Sequence, residues 1–279
     1  MDLFITAEAL RDHFDEVTVF DLRFLLEDLS YHRVVYEEGH IPGAFYLDFE
    51  DDLSDPRGDF GGDHPFLLPD DFARLLEGFG LKDDSTVVLY DEESLMSAAR
   101  FIYQSRFAGL SIKIHILKGG YGAWLAAGGE EETAIPKAPG GGHLSIQPRP
   151  DLICKQDTVK EKMDDPTSLL IDSRAPQRYL GQVEPRYRIA GHIPGAVNYF
   201  FKDVIAEDGG LKDRAYLEDH FAGLDKYDDI ILSCGSGGSA CVNSLALQAL
   251  GIPHRLYNGS YSEWVANPDN PVNTGEEGK

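Results

Sequence analysis

A cysteine follows an apolar run in the last quarter of the chain. Residues 230–233 read Ile-Ile-Leu-Ser and predict a buried strand, and residues 240–247 have the pattern of a helix. The loop between them is Cys234-Gly235-Ser236-Gly237-Gly238-Ser239. Glycines let such a loop curl so that its backbone N–H groups, with the helix dipole behind them, face the sulfur. These donors favour a thiolate and an anionic persulfide, so the pattern predicts a nucleophilic Cys234.

The three cysteines of the chain are not equivalent. The plain alternative for Cys234 is a small buried hydrophobic residue, because free cysteines are usually buried and inert. Cys241 falls on the apolar side of the predicted helix and is expected in the core, with a resolving thiol as the alternative. Cys154 has no partner motif and is given no role. A cysteine phosphatase is disfavoured because its arginine, six residues after the cysteine, is replaced here by Ala240.

Basic residues gather in one short stretch of a very acidic chain. The formal net charge is −23, with 25 Lys+Arg against 48 Asp+Glu. Residues 174–188 nevertheless contain one acid and the arginines Arg174, Arg178, Arg186 and Arg188. The stretch predicts a site for a small anionic substrate, and a solvated or salt-bridging surface segment is the alternative. The acidity of the whole chain argues against nucleic acids and anionic membranes as partners.

The remaining bulk features indicate a soluble protein with two domains. A chain of 279 residues is long enough for two cores. No stretch approaches the apolar length of a membrane span, and the first residues lack the layout of a signal peptide, so we expect a cytoplasmic protein. Three cysteines are too few for a disulfide framework and one short of a four-thiolate zinc site.

An internal repeat fixes the organisation of the elements that carry these residues. The block Gly-His-Ile-Pro-Gly-Ala occurs at residues 39–44 and again at 191–196, and Asp-x-Arg occurs at 21–23 and 172–174. Short strand patterns at 87–90, 112–117, 230–233 and 254–257 alternate with helix patterns such as 70–78 and 239–250. This alternation predicts an α/β fold with a mainly parallel sheet in each copy. We predict domains at residues 1–130 and 151–279, joined by a Pro- and Gly-rich linker at 131–150.

These motifs together resemble the tandem rhodanese-like sulfurtransferases, over residues 3 to about 270. The resemblance implies two rhodanese-like domains, of which the second carries the cysteine and the first is catalytically silent. Asp91 occupies the cysteine position of the first copy, in agreement with that division.

The resemblance also implies a substrate site. Within the family, 3-mercaptopyruvate enzymes have Gly-Ser-Gly after the cysteine, as here, whereas thiosulfate enzymes have basic residues there. Arg178 and Arg186 match the substrate-binding arginines of the family, and the substrate-binding loop would comprise Gly235, Gly237, Gly238 and Ser239. The family commonly continues with Val-Thr where this chain has Gly238 and Ser239, which implies a looser and slightly smaller pocket.

A serine, a histidine and an acid act together in the mercaptopyruvate branch that the sequence resembles. Ser236 fits the serine and His64 the histidine, contributed from the first domain across the interface; a loop histidine that only packs there is the alternative. The acid would be Glu50, with Asp48 as a possible substitute. His40 and His192 occur in both copies and are expected to be structural.

The resulting hypothesis is transfer of sulfur by double displacement. The Cys234 thiolate takes sulfur from 3-mercaptopyruvate or thiosulfate, and the persulfide passes it to a thiol such as reduced thioredoxin, or to cyanide. This chemistry requires no metal and no organic cofactor. A thiosulfate-preferring enzyme and a non-catalytic binding module are the alternatives.

Overall fold

The computed structural model describes residues 3–25, 31–56, 61–91 and 94–276. Its contacts divide the chain into two compact units. The first comprises Met1–Ser54, Leu67–Pro148 and Ala206–Gly210, and the second comprises Asp55–Phe66, Arg149–Ile205 and Leu211–Lys279. Each unit therefore contains one short segment that the repeat pattern assigns to the other half of the chain.

The first unit contains a five-stranded parallel sheet in the order β1-β5-β4-β2-β3. Its strands are β1 (Phe4–Ile5), β2 (Thr18–Asp21), β3 (Phe45–Tyr46), β4 (Thr86–Tyr90) and β5 (Lys113–Leu117). Its helices are α1 (Ala7–Asp12), α2 (Tyr31–Glu38), α3 (Pro69–Gly78), α4 (Met96–Ala108) and α5 (Gly120–Ala126). The central strand β4 is buried over its last four residues, as expected of a strand covered on both faces.

The second unit repeats this topology, in the order β6-β10-β9-β7-β8. Its strands are β6 (Ile153–Cys154), β7 (Ser168–Asp172), β8 (Ala196–Asn198), β9 (Asp229–Ser233) and β10 (Arg255–Tyr257). Its helices are α6 (Gln156–Lys162), α7 (Pro176–Tyr179), α8 (Arg214–His220), α9 (Ser239–Leu250) and α10 (Ser260–Ala266). The α/β prediction with a parallel sheet in each half is confirmed.

Strand register brings the segments that carry the predicted site residues of the second unit to one edge of its sheet. Asp172, the last residue of β7, lies beside Ser233, the last residue of β9. Because parallel strands end at a common edge, the loop after β9 and the segment after β7 emerge next to each other. Helix α9 then carries the chain away and ends at Leu250, and the following Gly251 has a φ of +73°, the left-handed conformation favoured in a glycine C-cap.

The segment predicted as a linker groups partly with the first unit. Glu132 pairs with His40, and the Gly142 N–H donates to the Glu77 carbonyl. The second unit resumes at Arg149. The domain limits 1–130 and 151–279 stay a prediction. Within the described residues, no helix has the length and apolar character needed to cross a bilayer.

Candidate active site

Cys234 lies at the carboxyl end of β9 and is 1% exposed. The backbone N–H of Gly237 donates to its sulfur, with a distance of 3.1 Å between nitrogen and Sγ. The Ser260 hydroxyl lies 3.9 Å from the same Sγ and accepts a hydrogen bond from the Cys234 N–H at 3.2 Å. The sulfur is thus held among polar donors at the strand end. Convergence of several amides on the sulfur stays a prediction.

The other residues of the loop lie where the strand-loop-helix pattern predicts. Gly237 has a φ of +89°, so a residue with a side chain would be strained there. Gly238 directly precedes α9, and Ser239 is the first residue of that helix. A methyl group built on Gly235 would lie 3.3 Å from the Tyr187 hydroxyl oxygen and 3.6 Å from Arg178 Nη1. Gly235 therefore brings the loop backbone close to a guanidinium and a phenol.

The start of helix α10 supports the cysteine loop from behind. The N–H groups of Tyr261 and Ser262 donate to the carbonyls of Cys234 and Gly235, at 3.0 and 2.8 Å. Ser260 is fully buried and has a φ of +52°, an unfavourable conformation for a non-glycine residue. Such strain persists where surrounding contacts enforce it, and the Ser260 hydroxyl supplies two of them, with the Cys234 N–H and the Tyr257 carbonyl.

His64 reaches the cysteine loop through Ser236. Its Nδ1 lies 2.8 Å from the Ser236 hydroxyl oxygen, and both residues are 7% exposed. Which atom donates depends on the tautomer of the histidine. Residues 55–66 group with the second compact unit, which also contains Cys234. The assignment of His64 to the first domain stays a prediction.

The segment that carries His64 is anchored on helix α10. The Asp63 N–H donates to the Ser262 hydroxyl at 3.1 Å. Gly62 has a φ of +82°, and a side chain there would meet the Gly259 carbonyl oxygen at 2.6 Å. Ser262 thus binds both the His64 segment and, through its own N–H, the cysteine loop. The Gly-Gly pair in front of His64 permits this close approach.

Glu50, the predicted acid of the set, belongs to the first unit. Its backbone N–H donates to Asp48 Oδ1 at 2.7 Å, and the N–H of Asp51 donates to the same oxygen. Asp48 also accepts a hydrogen bond from the Tyr46 hydroxyl at 3.0 Å. The Asp48 carboxylate thereby organises its own turn. A role of Glu50 or Asp48 towards His64 stays a prediction.

The arginine cluster is held by one buried carboxylate. The side chain of Glu184 is 2% exposed and forms ion pairs with Arg174 at 3.2 Å and Arg178 at 2.7 Å. Arg174 is buried and is paired closely with Asp172 at 2.6 Å, so its part is structural. Arg178 is less enclosed, at 17% side-chain exposure, and its guanidinium lies over Gly235. Arg178 is therefore the predicted substrate arginine that the fold places beside Cys234.

Arg186 is exposed, and its backbone N–H donates to Glu184 at 3.0 Å. The adjacent Tyr187 N–H donates to the same carboxylate oxygen at 3.3 Å. Glu184 therefore fixes the backbone at Arg186, while contact of the Arg186 side chain with a substrate stays a prediction.

Two further cysteines belong to the core of the second unit. Cys241 is fully buried on α9 and its thiol lies 3.2 Å from the Gly237 carbonyl oxygen. Burial raises the pKa of Cys154 to about 12, which keeps that thiol protonated.

The repeated histidines are buried in the same way in both units. His40 stacks on Tyr36 and His192 on Tyr179, each with 4.0 Å between ring centroids. In each pair the histidine Nδ1 lies 2.8 Å from the carbonyl oxygen of the tyrosine. These contacts lie within the fold, as expected of structural residues.

Sequence reasoning missed three residues of this site: Ser260, Glu184 and Tyr187. Ser260 stands in the block after the last strand that recurs in both copies, and this recurrence was the available signal. Glu184 is the single acid within the arginine stretch, a second available signal. The sequence held no comparable indication for Tyr187.

Comparisons with known proteins show the family of this chain. The rhodanese-like domain model matches residues 6–127 and 155–267. A Pseudomonas aeruginosa protein named "Probable 3-mercaptopyruvate sulfurtransferase" is 39% identical over 98% of this chain and 98% of its own length. The mitochondrial thiosulfate/3-mercaptopyruvate sulfurtransferase 1 of Arabidopsis thaliana is 32% identical over 86% of this chain and 69% of its length.

A solved structure shares the fold and about a third of the residues. The 3-mercaptopyruvate enzyme SseA of Escherichia coli superposes with a TM-score of 0.80 at 32% identity, covering 94% of this chain and 100% of that one. The same domain model matches the chain twice, and a relative of nearly the same length is 39% identical to it. These two findings establish the family. The chain belongs to the tandem rhodanese-like sulfurtransferase family.

Proposed function

We propose that this protein transfers sulfur from 3-mercaptopyruvate to a thiol acceptor, with Cys234 as the sulfur carrier. The observation that carries the proposal is the Gly237 N–H directed at Cys234 Sγ, in a loop that also lies beside the Arg178 guanidinium. The amide can stabilise negative charge on sulfur, and the guanidinium can bind an anionic donor.

The first half-reaction loads the cysteine. The Cys234 thiolate attacks the thiol sulfur of 3-mercaptopyruvate, so that an S–S bond forms and the bond between sulfur and C3 breaks. The electron pair of that bond leaves with C3 as the enolate of pyruvate, which takes up a proton to give pyruvate. The hydrogen-bonded Ser236 and His64 would orient the ketone oxygen and relay that proton.

The second half-reaction unloads the cysteine. A thiolate of the acceptor attacks the outer sulfur of the persulfide, and Cys234 leaves as a thiolate. Reduced thioredoxin is the proposed acceptor, because its second thiol can displace sulfide and form a disulfide; cyanide would take the sulfur directly. A cytoplasmic location, where dithiol reductants are maintained, belongs to the same proposal.

Thiosulfate is the second candidate donor. Arg178 would bind its sulfonate oxygens, and sulfite would leave when Cys234 takes the outer sulfur. One relative is named for both donors, which favours testing them together. The loop residues after Cys234 carry no cation, so we expect the monoanion 3-mercaptopyruvate to give the larger kcat/KM.

Mass spectrometry of the intact protein tests the proposal. Incubation with 3-mercaptopyruvate should add one sulfur atom to the peptide that contains Cys234, and reduced thioredoxin should remove it. The Cys234→Ser variant is the control and should gain nothing. If parent and variant release pyruvate at equal rates, Cys234 is not the carrier. If neither protein exceeds the uncatalysed rate, a non-catalytic binding module is left.

A further inference from the structure

Tyr187 is a phenol fixed against the candidate site, and the proposed transfer steps do not use it. Its ring packs edge-on against Tyr261, with 5.9 Å between ring centroids, and Arg178 Cζ lies 5.5 Å from its centroid. Its backbone N–H donates to Glu184, the acid that also binds Arg178. The same carboxylate thus positions both the guanidinium and the phenol.

The Tyr187 hydroxyl faces the cysteine loop. A methyl group on Gly235 would lie 3.3 Å from the hydroxyl oxygen, and 3.6 and 3.7 Å from the two terminal nitrogens of Arg178. The phenol and the guanidinium therefore approach the same glycine, the residue next to Cys234. The Tyr187 hydroxyl and the Arg178 guanidinium are thus two hydrogen-bond donors that both lie beside Gly235.

The hydroxyl is enclosed and completes no hydrogen bond of good geometry among the described residues, although the Asp63 side chain is near enough to interact with it. A buried O–H group without a partner is rare, because desolvation is then uncompensated. Burial raises the pKa of Tyr187, and the nearby Asp63 and Cys234 raise it further, while Arg178 opposes them. The phenol is therefore neutral and keeps its proton for donation.

From this placement we infer that Tyr187 is a substrate-contacting residue, whose hydroxyl donates a hydrogen bond to an oxygen of the anionic sulfur donor bound by Arg178. The inference rests on the proposed function and adds a specificity element to it. A carboxylate or sulfonate oxygen beside the guanidinium can accept from both groups at once. The residue would thus favour donors that carry an anionic oxygen near the transferable sulfur.

A donor without oxygen separates this role from a purely structural one. Inorganic polysulfide loads a cysteine by exchange: the thiolate attacks a chain sulfur, one S–S bond forms, another breaks, and a shorter polysulfide leaves. Such a donor offers no oxygen to the phenol. If Tyr187 contacts an oxygen of the donor, removing its hydroxyl should slow loading of Cys234 by 3-mercaptopyruvate and leave loading by polysulfide unchanged.

The experiment compares Tyr187→Phe with the parent protein for both donors. We expect kcat/KM for 3-mercaptopyruvate to fall about tenfold or more, the usual effect of removing a hydrogen bond to a charged group. Loading of Cys234 by polysulfide, followed by mass spectrometry, should be unchanged. Tyr216→Phe, which removes an equivalent hydroxyl from an exposed tyrosine of the same unit, should leave both reactions unchanged.

Each other outcome overturns the inference. Equal losses with both donors would mean that Tyr187 maintains the loop and does not contact donor oxygen. No loss with either donor would mean that the hydroxyl is idle. Both outcomes differ from failure of the proposed function, in which the parent protein itself gains no sulfur from 3-mercaptopyruvate.

Discussion

The two units share a framework but differ at the one loop that could do chemistry. In both, an Asp-x-Arg segment forms a buried ion pair, Asp21 with Arg23 and Asp172 with Arg174, each at 2.6 Å. In both, a tyrosine ring covers that arginine, at 4.3 Å for Tyr121 and 3.9 Å for Tyr261. These contacts are therefore present whether or not a cysteine follows the central strand.

The difference lies in the residue directly after the central strand. In the first unit, Asp91 takes the cysteine position and its carboxylate accepts from the Ala98 N–H of helix α4 at 3.3 Å. In the second unit, Cys234 has that position and receives the Gly237 N–H. The Asp91 carboxylate thus binds the first turn of the helix that follows it, whereas the Cys234 sulfur accepts a hydrogen bond from its own loop. The two units thus differ in the contacts of this loop, whereas the ion pair and the tyrosine ring over it are common to both.

Substituting the residue after the central strand in each unit should give the largest difference between the units. Cys234→Ser should lower sulfur transfer by about a thousandfold or more, because it removes the nucleophile. Asp91→Ser should leave the rate unchanged. The measurement is pyruvate release from 3-mercaptopyruvate in the presence of reduced thioredoxin. A similar loss in both variants would show that the first unit takes part in the chemistry.

The second largest effect is expected at Glu184. This buried acid extends the Asp172–Arg174 ion pair of the second unit to Arg178, beside the cysteine loop. Glu184→Gln leaves Arg174 and Arg178 without their shared buried partner, and removing one partner of a buried pair costs about 3 kcal/mol. Because Arg178 is partly exposed, we expect about 2 kcal/mol of lost stability in urea unfolding, and KM for 3-mercaptopyruvate raised about tenfold.

The matched control for that substitution is an exposed pair. Glu218→Gln removes the ion pair with Arg214, both of whose side chains are more than half exposed. Surface pairs contribute little, so the urea midpoint and KM should stay at parent values. Equal effects of the two substitutions would contradict the positioning role of Glu184.

Ser260 should show a smaller effect, and two substitutions separate its hydroxyl from its backbone strain. Ser260→Ala keeps the positive φ and removes the hydroxyl that binds the Cys234 N–H, so kcat should fall about fivefold. Ser260→Gly removes the hydroxyl but relieves the strain, so it should be as slow as Ser260→Ala and more stable to heat. A slow Ala variant beside a Gly variant of parent activity would assign the effect to strain.

The smallest effect is expected at Cys154. With a pKa of about 12 and 4% exposure, its thiol is protonated and enclosed, so the folded protein should show no alkylation there by iodoacetamide at about pH 8. Peptide mapping after alkylation measures this, and the urea-unfolded protein, in which Cys154 should react, is the control. Rapid modification of Cys154 in the folded protein would contradict its place in the core.

Local patterns were sufficient for much of this architecture. The predicted strand at 230–233 and helix at 239–250 agree with β9 and α9 to within one residue. Such boundaries are predictable because an apolar run and a glycine at the end of a helix are features of adjacent residues. The neighbourhood of Cys234 was less predictable. Ser260 is distant in sequence and contacts the cysteine only because β10 lies next to β9 in the sheet.

Residue type and short-range order are enough to establish the repeat, the parallel α/β class, the cysteine loop and the contrast between Asp91 and Cys234. Two other features emerge only in the folded chain. Residues 55–66 join the second unit and bring His64 to Ser236, and Glu184 holds Arg178 over Gly235. These contacts depend on how loops pack once the sheet has formed, and no local pattern encodes that packing.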